Sequence, residues 1–165
     1  SYHFATVGNW DYNNKFYNIR ADAKLEALDY LKRAEMSTNP GNCMPALDLE
    51  DDGSHRIRKL SGNQLADWVL QYGHTINKEL DVNPLLYGYA YVMKAAKANS
   101  AIHKEFPLWL ADANGKPDYH PWDNYTLWQH NRRGRVRGVG DKNGHVDINL
   151  FNGNETEFKI TMLLK

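Results

Sequence analysis

The chain has 165 residues, which suits one domain, and 42% hydrophobic with 12% aromatic content is enough for a core. Lys+Arg and Asp+Glu stand at 20 each, so net charge makes no case for a nucleic-acid or membrane partner. Cys43 is the sole cysteine, which excludes an intrachain disulfide and a cysteine-based metal site, and no apolar run approaches a membrane span.

Residues 1–6 read as a strand, and Val7 to Asn14, rich in Gly, Asn and Asp, as a loop. Ala21, Leu25, Leu28 and Leu31 recur at helical spacing and predict a helix over 15–36, ended by Asn39-Pro40-Gly41-Asn42. Met44 to Glu50 reads as a buried strand whose end turns polar, and Asp51 to Lys59 as a charged loop. Cys43, beside that strand, is expected to be an inert small hydrophobe. Ser61-Gly62-Asn63-Gln64 has capping-box spacing and opens a helix to about Leu80, with Leu65, Trp68, Val69, Tyr72 and Ile76 as its apolar stripe. Pro84 to Gly88 is a strand, followed by a helical piece through Ala98, and Pro107 to Ala111 is another strand. Residues 112–123 form a loop. Tyr125 to His130, Arg135 to Val139 and His145 to Asn149 predict three closing strands joined by Gly-rich turns. Internal repeats and low-complexity segments are absent. Alternating strands and helices argue for an α/β fold with a parallel sheet, and the final strands depart from a regular barrel pattern.

In parallel α/β folds, functional groups gather at the C-terminal ends of strands. Asp48 and Glu50 sit at such an end. Strand alternation points both to one side, with Cα atoms roughly 6.5–7 Å apart. Tyr87 and Trp109 lie near the ends of the next two strands, and Asp147 in the last. Neighbouring carboxylates push their pKa values apart, so one keeps a proton near neutral pH while the other stays ionised. Glycoside hydrolysis uses that division: an acid protonates the leaving oxygen and an anion supports the cationic sugar. The five Trp and ten Tyr supply candidate sugar platforms. A Mg²⁺ or Ca²⁺ site built on Asp48, Glu50, Asp51 and Asp52 ranks second, because the loop lacks EF-hand spacing. Taken alone, D-x-E is also what a strand end entering a solvated acidic loop looks like.

The wider pattern is more specific. Tyr2-His3-Phe4-Ala5, Pro45-Ala46-Leu47-Asp48-Leu49-Glu50, Leu86-Tyr87, Pro107-Leu108-Trp109-Leu110-Ala111, Leu127-Trp128-Gln129, Gly138-Val139 and Val146-Asp147-Ile148-Asn149-Leu150-Phe151 follow one another in order. This series resembles the glycoside hydrolase family 25 muramidases, the Chalaropsis-type lysozymes of bacteria, fungi and phage endolysins, over nearly the whole chain. The resemblance implies an irregular TIM-like (β/α) barrel that closes with β-strands, within a single catalytic domain over residues 1–165. It implies cleavage of the β-1,4 bond between N-acetylmuramic acid and N-acetylglucosamine in peptidoglycan, outside the cell or at the bacterial wall, without a cofactor or metal. Carried over, Glu50 matches the general acid, Asp48 its partner carboxylate and Asp147 a further active-site aspartate. Tyr87, Trp109, Trp128 and Gln129 match groove positions, and Tyr2 and His3 the strand end near the site. The D-x-E spacing also resembles that of substrate-assisted glycosidases, so the resemblance leaves the nucleophile open between an enzyme group and the substrate's acetamido group.

The family's domain begins upstream of the residues matched by Tyr2-His3-Phe4-Ala5, with an active-site aspartate near its start. The expectation is therefore a barrel incomplete at its N-terminus, either the C-terminal part of a muramidase domain or a naturally shortened or rearranged version, with a missing N-terminal segment or an appended wall-binding domain as candidate partners. The rival from another class is a non-catalytic peptidoglycan-binding module. Arg132-Arg133-Gly134-Arg135-Val136-Arg137 is a basic cluster that suits phosphate, but beside a neutral overall charge it reads as a solvated hairpin. The histidines lack zinc-site spacing. Trp68 reads as core. Trp122 reads equally as a sugar platform or a lid.

Overall fold

A computed structural model describes residues 2–7, 18–36, 41–139 and 144–164. The elements run β1 (Tyr2–Phe4), α1 (Ile19–Arg33), β2 (Ala46–Asp48), α2 (Arg56–Lys59), α3 (Gly62–Leu80), β3 (Leu85–Gly88), α4 (Ala90–Ala98), α5 (Ala101–Glu105), β4 (Leu108–Ala111), β5 (Leu127–Gly134), β6 (Val146–Phe151) and α6 (Glu155–Met162). The strands form one six-stranded sheet in sequence order, parallel from β1 to β5, with β6 antiparallel to β5. This is the mixed α/β architecture expected of a (β/α)-type fold, with β1 and β6 as the two ends of the sheet.

Register explains how the sheet divides its labour. Ala46 pairs with Leu85, Leu47 with Leu86, Asp48 with Tyr87, and Tyr87 in turn with Trp109. Residues in register share a face, and successive residues alternate. Leu47, Leu86, Leu108 and Leu110 therefore face the helices, where they join Trp68, Tyr72, Ile76 and Phe106 in the main core. Ala46, Leu85 and Leu127 face the other way and meet Met162 and Phe158 of α6 in a smaller cluster. Beyond that cluster, toward the C-terminal strand ends, the same face carries Asp48, Tyr87, Trp109 and Gln129.

The helices form where their caps allow. Asn18 accepts from the backbone N–H of Arg20 and Ala21 and starts α1, so the helix occupies 19–33 within the predicted 15–36. Residues 8–17 and 37–40 of the predicted loop, helix start and breaker lie outside the described residues. The α3 capping box is complete: Gln64 N–H donates to Ser61 Oγ at 3.2 Å, and Ser61 N–H to Gln64 Oε1 at 2.9 Å. Trp68 of α3 is buried, as read, and its indole N–H donates to Asp22 of α1 at 2.8 Å, tying the two helices together.

Several expectations need correction. The predicted strand at 135–139 is instead a turn closed by a Val136–Val139 bridge, because β5 continues through Arg132 and Arg133 to Gly134. Gly134 is required there: a Cβ would lie 2.1 Å from Ile148 Cγ1 of β6. Trp122 is neither platform nor lid. It is buried, and its indole N–H donates to the Phe106 carbonyl at 2.8 Å. Cys43 is exposed rather than packed, in a bridge with Leu163.

Candidate active site

Asp48 ends β2. Its ladder continues on both sides, with Ala5 N–H donating to the Asp48 carbonyl and Leu49 N–H to the Tyr87 carbonyl, both at 2.9 Å. Leu47 and Leu49 are fully buried, so the backbone between them is held by the core. Gly88 lets β3 pass closely here. It sits at φ 135°, and a Cβ would approach the Leu49 carbonyl oxygen to 3.0 Å. The result is a fixed platform from which Asp48 and Glu50 project into one cleft of about 340 Å³. Tyr2, Tyr87, Trp109, Gln129, Asp147 and Asn149 complete its lining.

Of the nine residues singled out from sequence, the structure brings seven together: Tyr2, Asp48, Glu50, Tyr87, Trp109, Gln129 and Asp147. It does not bring His3 or Trp128. His3 alternates with Tyr2 and so points to the helix face. Its Nε2 lies 2.9 Å from Glu26 Oε2, and its ring stacks on Tyr72 with centroids 5.6 Å apart. Glu26 also accepts from the Thr6 amide and hydroxyl, so His3 belongs to a clasp between β1 and α1. Trp128 alternates with Gln129 and likewise faces the main core. Its indole N–H donates to the Asp112 carbonyl at 2.6 Å.

Asn149 was missed. It lies two residues after Asp147 and therefore on the same face, a signal present in Val146-Asp147-Ile148-Asn149. Its Oδ1 accepts the Trp109 indole N–H at 2.7 Å, which fixes the ring that meets Tyr87 edge-on at 5.0 Å. The Tyr87 hydroxyl donates to Gln129 Oε1 at 3.1 Å. Two aromatic walls are thus held by two amides.

The electrostatics are uneven across the cleft. Asp48 is buried, and its Oδ1 has no hydrogen-bond partner. Burial, and then the negative charge of Glu50, push its pKa from 3.8 to about 7. The proton that two adjacent carboxylates retain is therefore favoured on Asp48 in the resting site. Burial and then the Glu50 charge also raise Tyr87 to about 12, so its phenol stays a neutral donor. The neighbouring acids do not add to this charge freely. Asp51 is bound by the His55 ring and by Arg58, accepts the Gly53 and His55 amides, and has its pKa pulled down to about 2, first by His55. Asp52 binds Ser54 and Arg56. The acidic run thus divides: Asp48 and Glu50 face the cleft, while Asp51 and Asp52 staple the loop that follows. Among the described residues, no group of three or more His, Cys, Asp or Glu is arranged to hold a metal ion.

Residues 2–139 match the family model for Glycosyl hydrolases family 25. The chain belongs to this family. Solved structures agree on the fold. A bacterial lysozyme from Streptomyces coelicolor superposes with a TM-score of 0.70 at 20% identity, covering 97% of this chain and 70% of that one. A family GH25 lysozyme from Aspergillus fumigatus gives 0.69 at 19% identity, over 97% and 70% of the two chains. A muramidase from Acremonium alcalophilum gives 0.68 at 20%, with the same coverage. Among curated proteins, YegX of Escherichia coli O157:H7, described as uncharacterized, is 28% identical over 144 residues, 87% of this chain and 48% of that protein. The chain spans about half the length of the curated relatives it matches.

Proposed function

We propose that this chain is the catalytic part of a peptidoglycan hydrolase that cuts the β-1,4 bond between N-acetylmuramic acid and N-acetylglucosamine at the bacterial cell wall. The observation that carries this reading is the pairing of Asp48 and Glu50 in one aromatic-walled cleft, with a carboxyl pKa raised to about 7. Such a pair holds one proton near neutrality, and its titration belongs to the pair.

The proton that rests on Asp48 passes within the pair to Glu50 when the glycan is bound, and Glu50 delivers it to the glycosidic oxygen as the bond from the anomeric carbon breaks, so that the leaving sugar departs as an alcohol. The pair then carries its full negative charge at the moment positive charge develops on the remaining sugar. Asp48 and Asp147, lining the same cleft, stabilise that centre. Water supplies the oxygen that completes the anomeric carbon, and its proton restores the pair. Tyr87, Trp109, Gln129 and Asn149 hold the sugar ring in place, and Tyr2 covers it from β1.

The test is reducing-end release from purified peptidoglycan by the parent chain and its Glu50→Gln variant. Release by the parent, reduced at least about 100-fold in the variant, is expected for a lost general acid. Retention on insoluble peptidoglycan with no release by either folded chain would replace this reading with a wall-binding module.

A further inference from the structure

The cleft opens into further hollows. Glu50 lines the cleft and also a second hollow of about 450 Å³, together with Tyr89, Tyr91, Asn114 and Arg132. Tyr89 and Ala90 then line both this hollow and a third of about 360 Å³, whose rim carries Lys94, Lys97, Asp118 and His120. The three hollows adjoin in series through the residues they share, Glu50 between the first two and Tyr89 with Ala90 between the last two. Burial and then the nearby charge of Asp118 raise the Tyr89 pKa, so its phenol stays neutral at the second of these junctions.

The function proposed above gives this series a direction. Asp48 and Asp147 line the cleft and neither of the two further hollows, so the sugar that becomes cationic lies there. Glu50, as proton donor, faces the oxygen that leaves. The first leaving-group sugar therefore occupies the second hollow, and the next lies beyond Tyr89. If the cut bond joins N-acetylmuramic acid to N-acetylglucosamine, the second leaving-group sugar is again the one that carries a lactyl group and its peptide.

The third hollow suits an anion. Ala90, Met93, Lys94 and Lys97 fall at i, i+3, i+4 and i+7 on one face of α4 and all line it. The N-terminus of α4 lies at the same place, and no side chain caps it, so the positive end of the helix is available to a ligand. The Lys94 ammonium donates to the Leu60 carbonyl at 2.5 Å, which anchors it and leaves two donors. Lys97 is exposed. Asp118 opposes these charges, a single carboxylate on the rim against two ammonium groups and the helix end.

We propose that the hollow beyond Tyr89, bounded by the first turn of α4, Lys94, Lys97 and His120, binds the carboxylates of the acidic peptide carried by the second leaving-group sugar. The site makes the enzyme prefer peptide-bearing glycan over bare glycan. This rests on the hydrolase reading for its direction, but its binding test does not require catalysis.

The probe is the disaccharide N-acetylglucosaminyl–N-acetylmuramic acid with its peptide carboxylates free, beside the same disaccharide stripped of peptide. Neither contains the bond that is cut, so the parent chain can be titrated with both by calorimetry at low salt. The peptide-bearing form is expected to bind about three- to ten-fold more tightly, the scale of one or two partly exposed ion pairs. Lys97→Glu should erase that preference without changing affinity for the stripped form, as should raising the salt. Lys97→Met should erase most of it. Equal affinity of the two forms for the parent, no binding of either, or an undiminished preference in Lys97→Glu overturns the proposal. A preserved preference alongside absent glycan cleavage would remove the hydrolase reading and leave the anionic site standing.

Discussion

Replacing Asp48 by Asn tests the electrostatics of the cleft from an unusual side: the variant should lose activity and gain stability above neutral pH. In the folded chain the Asp48 pKa is about 7 against 3.8 for an unburied carboxyl, so the native state binds more protons than the unfolded state across that window. Stability therefore falls as pH rises from about 4 to about 7, and the loss is complete above it. A gap of about three pH units, at 1.36 kcal/mol each, sets a ceiling of about 4 kcal/mol, and residual hydration of the cleft brings the expectation to about 2–4 kcal/mol. Asn removes the charge and keeps the shape. For a chain of this size that corresponds to a Tm higher by roughly 5–10 °C than the parent's at pH 8, shrinking toward zero at pH 4. The assay is thermal unfolding of both proteins at pH 4, 6 and 8, with glycan release measured alongside. Parent activity should fall about tenfold per pH unit above about 7, where the pair loses its proton. A Tm difference that does not change with pH, or an activity flat to pH 9, would refute the assignment of the shared proton to this pair.

Gly88→Ala should destabilise the chain by about 1–3 kcal/mol, because the residue needs positive φ and its Cβ would press on the Leu49 carbonyl, and activity should fall with it as the Asp48–Glu50 platform shifts. Denaturant midpoints and glycan release measure the two effects. Trp68→Phe should cost about 1–3 kcal/mol in the same unfolding assay with turnover of the folded protein unchanged, since it removes the indole donor to buried Asp22 far from the cleft. A turnover loss in folded Trp68→Phe would show that α1–α3 packing reaches the site.

Much of this was legible in the sequence because it rests on local rules. The β2 strand, the capping box at Ser61–Gln64 and the pairing of Asp48 with Glu50 on one face follow from period-two and period-3.6 patterns. What failed was what needs register. His3 and Trp128 sit in motifs beside true cleft residues, yet alternation turns each to the core. The β5–β6 register shifts at Asn131 and Gly134 let one strand run where two were expected. Helix α6 did leave a trace: Asn154 and Glu157 form a reciprocal capping box, but that segment also reads as a glycosylation sequon. That one carboxyl of the pair keeps a proton near neutral pH was legible; that it is Asp48 was not, because its raised pKa depends first on burial by groups distant in sequence.

The placement of the site follows from how the sheet spends its two faces. Parallel strands are ordinarily buried on both sides. Here the helices cover one face with a continuous core, while α6 covers only the part of the other face around Ala46, Leu85 and Leu127. The uncovered remainder lies at the C-terminal strand ends, where each strand contributes its outward residue. A like-charged pair on that surface is destabilising in isolation. It persists because Leu47 and Leu49, alternating with Asp48 and Glu50, bury fully in the opposite core and fix the backbone that carries both acids. The same alternation that supplies the stability therefore aims the charges. A backbone fixed in this way holds both acids at set positions in the cleft, and such preorganisation is the condition for electrostatic stabilisation of a cationic centre.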